Sequence, residues 1–126
     1  MPTKRSSLRA VEVPPKPSRG EVWWVDLDPV TGHEQAGKRP ALIFSSDRLN
    51  RGRGEIVWVV PMTTTDRGIR SHVAISPPDG GVSRRSFAMA EQLRAISTER
   101  LRGRVGRVSA ITLAQVADVV RMIADL

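Results

Sequence analysis

Cysteine is absent from the 126-residue chain, which excludes disulfide staples and thiolate metal sites. No apolar run approaches the roughly 20 residues that a membrane-spanning helix needs, so no membrane role is expected. Lys4, Arg5 and Arg9 open the chain without an apolar stretch behind them, the wrong pattern for a signal peptide. A cytoplasmic location follows as the expectation. His33 and His72 are the only histidines, isolated from each other, without cysteine partners and without a metal-ligand spacing of His, Asp and Glu around them. A zinc site is therefore not expected, and no other cofactor is called for. A glycine-rich loop of the nucleotide-binding kind, a Ser-His-Asp constellation and an internal repeat are missing as well. The length leaves room for one domain with a modest core, which a dimer contact would help to stabilise.

Acidic residues are the minority. Twenty Lys and Arg stand against thirteen Asp and Glu, a net charge of +7 and a pI near 11.4. From Lys38 to Arg107 the chain carries fourteen basic and six acidic side chains, a local net of +8. Polyanions are the natural partners of such a surface, although charge alone does not separate RNA from DNA or from an anionic membrane.

Residues 1–18 read as a flexible basic tail: Pro14, Pro15 and Pro17 surround Lys16, and no periodicity is sustained. The folded domain is expected over residues 19–126. Short β-rich runs bounded by Pro and Gly predict strands at 21–27, 41–45, 56–60, 72–76, 86–96 and 104–108, with Pro61 ending the third. Residues 47–54 read as a turn. Trp58, inside the apolar run 56–60, is expected in the core, and at least one of the adjacent Trp23 and Trp24 should join it. Only the C-terminus reads as a helix. Ser109 can cap it, and Leu113, Val116, Val120 and Ile123 follow at spacings of three and four. A second apolar set, Val119, Met122 and Leu126, makes that face wider than one packing surface needs. The pattern predicts a mainly β, α+β chain: a small β-barrel with one C-terminal α-helix.

The loop at residues 32–40, Gly-His-Glu-Gln-Ala-Gly-Lys-Arg-Pro, gathers a carboxylate, an amide, an ammonium and a guanidinium. Phosphodiester cleavage by a neighbouring 2′-hydroxyl needs such groups. One helps remove the hydroxyl proton, another meets the charge on the phosphoryl oxygens, and a donor assists the leaving oxygen. A solvated turn would carry the same composition. Pro-Met-Thr-Thr-Thr at 61–65 offers hydroxyls that suit either a phosphate or an ordinary strand end. Glu-Gln-Leu-Arg at 91–94 could read base edges, line a subunit contact or simply face solvent.

Taken together, these segments resemble the MazF/PemK family of toxin–antitoxin ribonucleases. Four of them, at residues 20–29, 32–40, 60–64 and 90–96, stand in the family's order and spacing. The resemblance implies an SH3-like barrel of the PemK/CcdB kind, forming a homodimer. It also implies metal-independent, sequence-selective cleavage of single-stranded RNA, giving 2′,3′-cyclic phosphate and 5′-hydroxyl ends. In its pattern Arg39 and Thr63 occupy the catalytic positions, with Thr64 as the neighbouring alternative to Thr63. Glu34 stands where a loop carboxylate serves catalysis or RNA contact. Gln35, Lys38, Gln92 and Arg94 fall among the RNA-binding positions. The implied partner is a MazE-like antitoxin with an acidic, flexible segment. His33 stands where serine is frequent. Two other readings share the barrel: a CcdB-like gyrase poison, and a non-catalytic module that holds nucleic acid by charge alone. The Glu34, Arg39 and Thr63 set favours the enzyme.

Overall fold

A computed structural model describes residues 16–27 and 38–126. Among them are seven strands: β1 (Glu21–Asp26), β2 (Lys38–Ile43), β3 (Ile56–Thr63), β4 (His72–Ile75), β5 (Ser86–Met89), β6 (Arg94–Ser97) and β7 (Leu101–Arg107). A single-turn helix α1 (Asp47–Asn50) follows β2, and α2 (Ala110–Ala124) follows β7. Every strand pairing is antiparallel, in the order β4-β5-β3-β2-β1-β7, with β6 also pairing with β3.

Alternation along β2 and β3 splits their apolar side chains between two cores. Leu42, Val60 and Met62 join Val22, Ile75, Ala88 and Val116 of α2 in one cluster. Ala41, Ile43, Val57 and Val59 join Val25, Ile96 and Leu101 in the other. Burial on both faces explains why these strands read as continuous apolar runs rather than as hydrophobic–polar alternation. It also accounts for one departure from expectation. Trp58 shares the face of Val60 and Met62, yet α2 packs chiefly on β4 and the 3₁₀ turn Ala90–Gln92, leaving the start of β3 uncovered. Trp58 is 47% exposed and Ile56 is exposed beside it, so the expected core placement of Trp58 does not hold. Trp23 packs against the second cluster while Trp24 faces outward.

The edge strands β4 and β7 share no ladder. The 3₁₀ turn Asp79–Gly81 packs instead on the backbone of Val105 and Gly106. A Cβ on Gly81 would lie 2.5 Å from the Val105 carbonyl oxygen, and one on Gly106 would lie 2.6 Å from that of Gly80. Gly81 also has φ +75°, a conformation L side chains rarely adopt. The same turn starts α2. Asp79 accepts from the Ser109 N–H (2.7 Å) and the Thr112 hydroxyl (2.6 Å), while Ser109 caps the Thr112 N–H. The ring is thus completed by backbone packing and a helix cap.

Several boundaries differ from the sequence reading. β2 begins at Lys38 rather than 41, and β3 runs past Pro61 to Thr63. The expected strand 86–96 is two strands separated by the 3₁₀ turn Ala90–Gln92, and residues 47–50 form α1 rather than a plain turn. The last strand starts at Leu101. Of the residues assigned to the tail, 1–15 lie outside those described. Pro17 is fully buried, and the Ser18 N–H donates to Glu21 at 2.8 Å. Among the described residues no helix is long and apolar enough to cross a membrane.

Candidate active site

The two prolines of the central strands decide where the sheet parts. The Phe44 N–H donates to the Trp58 carbonyl, and the β2–β3 register then runs Ile43↔Val59, Leu42↔Val60, Ala41↔Pro61. Hydrogen-bonded positions alternate along an antiparallel ladder, so after Leu42 the next donor toward β3 would be residue 40. That residue is Pro40, which has no N–H. The ladder stops there. On the other edge of β3, pairing with β6 ends at Val59↔Arg94 and pairing with β5 begins at Met62↔Ala88. The donor that Pro61 lacks falls in this hand-over, which is why β3 tolerates it. β2 meanwhile stays on β1 through Trp24↔Pro40, Val25↔Arg39 and Asp26↔Lys38.

A cleft of about 450 Å³ opens where the two strands part. β2 supplies Lys38, Arg39 and Pro40, and β3 with its following loop supplies Met62, Thr63, Thr64, Thr65 and Arg67. Because Ala41 pairs with Pro61, Arg39 and Thr63, each two residues further on, share one face. Thr63 is half-buried, and its Oγ1 accepts from the Thr65 N–H at 3.1 Å. This leaves the hydroxyl proton to be donated elsewhere. Asp66 accepts from the Gly68 N–H at 3.0 Å and so shapes the loop, while the Arg67 guanidinium reaches the Met89 sulfur at 3.8 Å. Lys38, Arg39 and Arg67 put three cations around the cleft, and among the described residues no carboxylate pairs with any of them. Such a cleft attracts and orients an anion, and the arginine fork matches the geometry of a phosphate.

Four of the residues singled out in the sequence, Lys38, Arg39, Thr63 and Thr64, meet in this cleft. Glu34 and Gln35, with His33, lie outside the described residues. Gln92 and Arg94 do not line the described cleft. Gln92 ends the 3₁₀ turn Ala90–Gln92, and Arg94 opens β6 opposite Val59, in the middle of β3. Next to Gln92, Glu91 accepts from the Ser71 hydroxyl (2.6 Å) and bonds His72 Nε2 (3.0 Å). Burial raises the Glu91 pKa, but these two hydrogen bonds outweigh it and hold the carboxyl below its ordinary value. Arg67 was not found by sequence reasoning, and Thr65 entered only as the last hydroxyl of the 61–65 motif, with no site role of its own. Their only signal was a hydroxyl and a cation within four residues of Thr63.

The basic residues of β7 differ from those of the cleft in being neutralised. Arg104 and Arg107 flank the buried Glu21 at 2.8 and 3.5 Å, and Arg102 pairs with Asp26 at 2.7 Å. Arg100 donates to the carbonyls of Asp26 and Leu27, fastening the end of β1.

Comparison with known proteins agrees with this architecture. The family profile described as "PemK-like, MazF-like toxin of type II toxin-antitoxin system" matches residues 18–124. Endoribonuclease MazF9 of Mycobacterium tuberculosis is 42% identical over 114 residues, covering 86% of this chain and 96% of that protein. A MazE–MazF crystal structure from Deinococcus radiodurans superposes with a TM-score of 0.76 at 26% identity, covering 88% of this chain and 97% of that one. A mycobacterial endoribonuclease in complex with its cognate antitoxin superposes at 0.69 and 25% identity, covering 88% and 95%. With its barrel, its helix and nearly its whole described length matched, the chain belongs to the PemK/MazF-like toxins of type II toxin–antitoxin systems.

Proposed function

We propose that this chain is the toxin of a type II pair, an endoribonuclease that cuts single-stranded RNA at selected sequences without a metal ion and so stops translation and growth. The observation that carries the reading is the meeting of Arg39 and Thr63 on one face of a cation-lined cleft. The relatives' names supply the substrate class.

In this reading a scissile phosphate sits in the cleft. The Arg39 fork donates to its phosphoryl oxygens, and Thr63, its Oγ1 lone pair already held by Thr65, donates its hydroxyl proton to one of them. Thr63 rather than Thr64 takes this part because it shares the face of Arg39. The RNA's own 2′-oxygen attacks phosphorus, and the bond to the 5′-oxygen breaks. Glu34 takes the proton from the 2′-hydroxyl, the leaving 5′-oxygen takes one from a water molecule, and the products end in a 2′,3′-cyclic phosphate and a 5′-hydroxyl. Lys38, Arg67, Gln35 and Thr64 bind the strand around this point, with Gln92 and Arg94 contacting it further out. The basic segment ahead of Lys16 adds affinity for RNA by phosphate attraction.

The protein works in the cytoplasm as a homodimer, and a separately encoded antitoxin with an acidic segment blocks it. Charge complementarity with a +7 chain suits such an inhibitor, as do the antitoxin complexes among the structural relatives. The decisive experiment incubates the purified protein with a long RNA in EDTA. Discrete fragments with cyclic phosphate ends are expected, and a 2′-deoxy substitution at a mapped site should block that cut. Activity that needs Mg²⁺, or cleavage of the deoxy site, would refute the mechanism. Intact RNA throughout would leave only a binding module or a gyrase poison.

A further inference from the structure

The face shared by Arg39 and Thr63 continues onto the next strand. Thr63 pairs with Phe87 of β5, and cross-strand partners project to the same side. Arg39, Thr63 and Phe87 therefore form a row across β2, β3 and β5. Two strand spacings, roughly 10 Å, separate its ends. Phe87 is 7% exposed, and the Arg85 guanidinium lies over its ring at 5.1 Å from the centroid.

Stacking uses the flat face of a guanidinium and leaves its N–H edges for other partners. Among the described residues no carboxylate takes up those edges, whereas Arg102, Arg104 and Arg107 of β7 are all paired with Asp26 or Glu21. The ring holds Arg85 in place without neutralising it, so little side-chain entropy remains to be lost when an anion binds. A strand whose scissile phosphate sits at Arg39 and Thr63 and which runs along the row passes directly over Arg85.

We propose that Arg85 is a second phosphate subsite, binding a sugar–phosphate unit of the RNA beside the scissile one. The proposal rests on the reading of the cleft given above. Its contact is with the backbone, so Arg85 contributes to affinity and its salt dependence and leaves the chemical step and the choice of sequence alone.

The test compares wild type, Arg85→Ala, Arg85→Lys and Arg48→Ala. Arg48 is an exposed arginine on α1, beyond the opposite end of β2, and controls for the loss of one charge. Binding is followed by fluorescence anisotropy from 50 to 300 mM salt, with a short RNA carrying the 2′-deoxy block at a mapped site. Cleavage of the all-ribose RNA gives kcat and KM. Arg85→Ala should weaken binding roughly two- to fivefold at low salt, the scale of an exposed ion pair. Its plot of log affinity against log salt should be shallower by about 0.7, one phosphate on a single strand. KM should rise with Kd while kcat and the cleaved sequence stay unchanged. Arg85→Lys should restore most of the slope, and Arg48→Ala should behave as wild type. An unchanged slope in Arg85→Ala, an equal flattening in Arg48→Ala, or a fall in kcat at constant KM would overturn the subsite. Failure of wild type itself to bind or cut RNA is a distinct result, one that removes the cleft reading and this subsite with it.

Discussion

Glu21 is the point where a single substitution should show most clearly what holds β7 on β1. Its side chain is 12% exposed. Oε1 accepts from the Ser18 N–H (2.8 Å) and the Trp23 indole N–H (2.9 Å), and Oε2 meets Arg104 (2.8 Å) and Arg107 (3.5 Å). Both arginines are about half exposed, so their charges re-solvate when the carboxylate goes, and together they are worth about 1 kcal/mol. The Ser18 and indole donors are part-buried and lose about 1 kcal/mol each. Glu21→Ala should therefore cost about 3 kcal/mol. Glu21→Gln keeps a carbonyl for the two neutral donors and should cost only about 1 kcal/mol. The pH dependence separates the charge from the shape. Burial raises the Glu21 pKa, but the hydrogen bonds from Ser18, Trp23 and Arg104 outweigh it and hold the carboxyl below its ordinary 4.5. A depressed folded-state pKa means stability that is fully present above the unfolded value and lost as pH falls through the folded one. Urea unfolding at pH 7, 5, 4 and 3 is the assay. The gap between wild type and Glu21→Gln should be widest at pH 7 and narrow steadily below about 4. A Gln variant as stable as wild type at pH 7, or a gap that persists in acid, would refute this account of the cluster.

Three further outcomes are expected. Arg39→Ala should lower the RNA cleavage rate by roughly 10²-fold or more with the fold intact by circular dichroism, and Arg39→Lys should recover little because a point charge cannot copy the fork. Gly81→Ala combines a backbone clash with the Val105 carbonyl and a positive φ, and should cost about 2–4 kcal/mol in denaturant unfolding; a near-neutral result would mean that the turn does not complete the ring. A chain starting at Lys16 retains the buried Pro17 and should match the full chain in melting midpoint and in single-turnover rate at saturating RNA, with weaker RNA binding at low salt only.

The helix was the most legible element, because its cap and its apolar spacing are local signals. Ser109 caps α2 as expected, and Val116 is fully buried. Strand boundaries were harder wherever proline was taken as a terminator. Pro40 and Pro61 both lie within strands: the donor that Pro61 lacks falls in the hand-over from β6 to β5, and Pro40 ends the ladder with β3 while β2 stays paired with β1 on its other edge. The break at Ala90–Gln92 was hidden because no Gly or Pro interrupts residues 86–96 to mark it. Trp58 was misplaced because an apolar run shows that a residue can be buried, but only the position of α2 decides whether it is. In the site, Arg39 and Thr63 were legible through motif spacing. Arg67 was not, because it reaches the cleft by the course of a loop that its own composition does not specify.

Pro40 gives the cleft a property that a list of its lining groups does not convey. Two strand ends lying side by side would ordinarily zip together, each rung adding about 1 kcal/mol. The first rung beyond Leu42↔Val60 needs an N–H that an imino acid does not have. The gap is therefore held open by chain chemistry rather than by a bound strand, and an incoming ligand has no ladder to undo. It meets a slot already open, with Lys38 and Arg39 on one rim and Arg67 on the other. Replacing Pro40 with Ala would restore the missing donor and let the slot begin to close on itself, drawing Arg39 and Thr63 into direct cross-strand contact where a phosphate would otherwise fit.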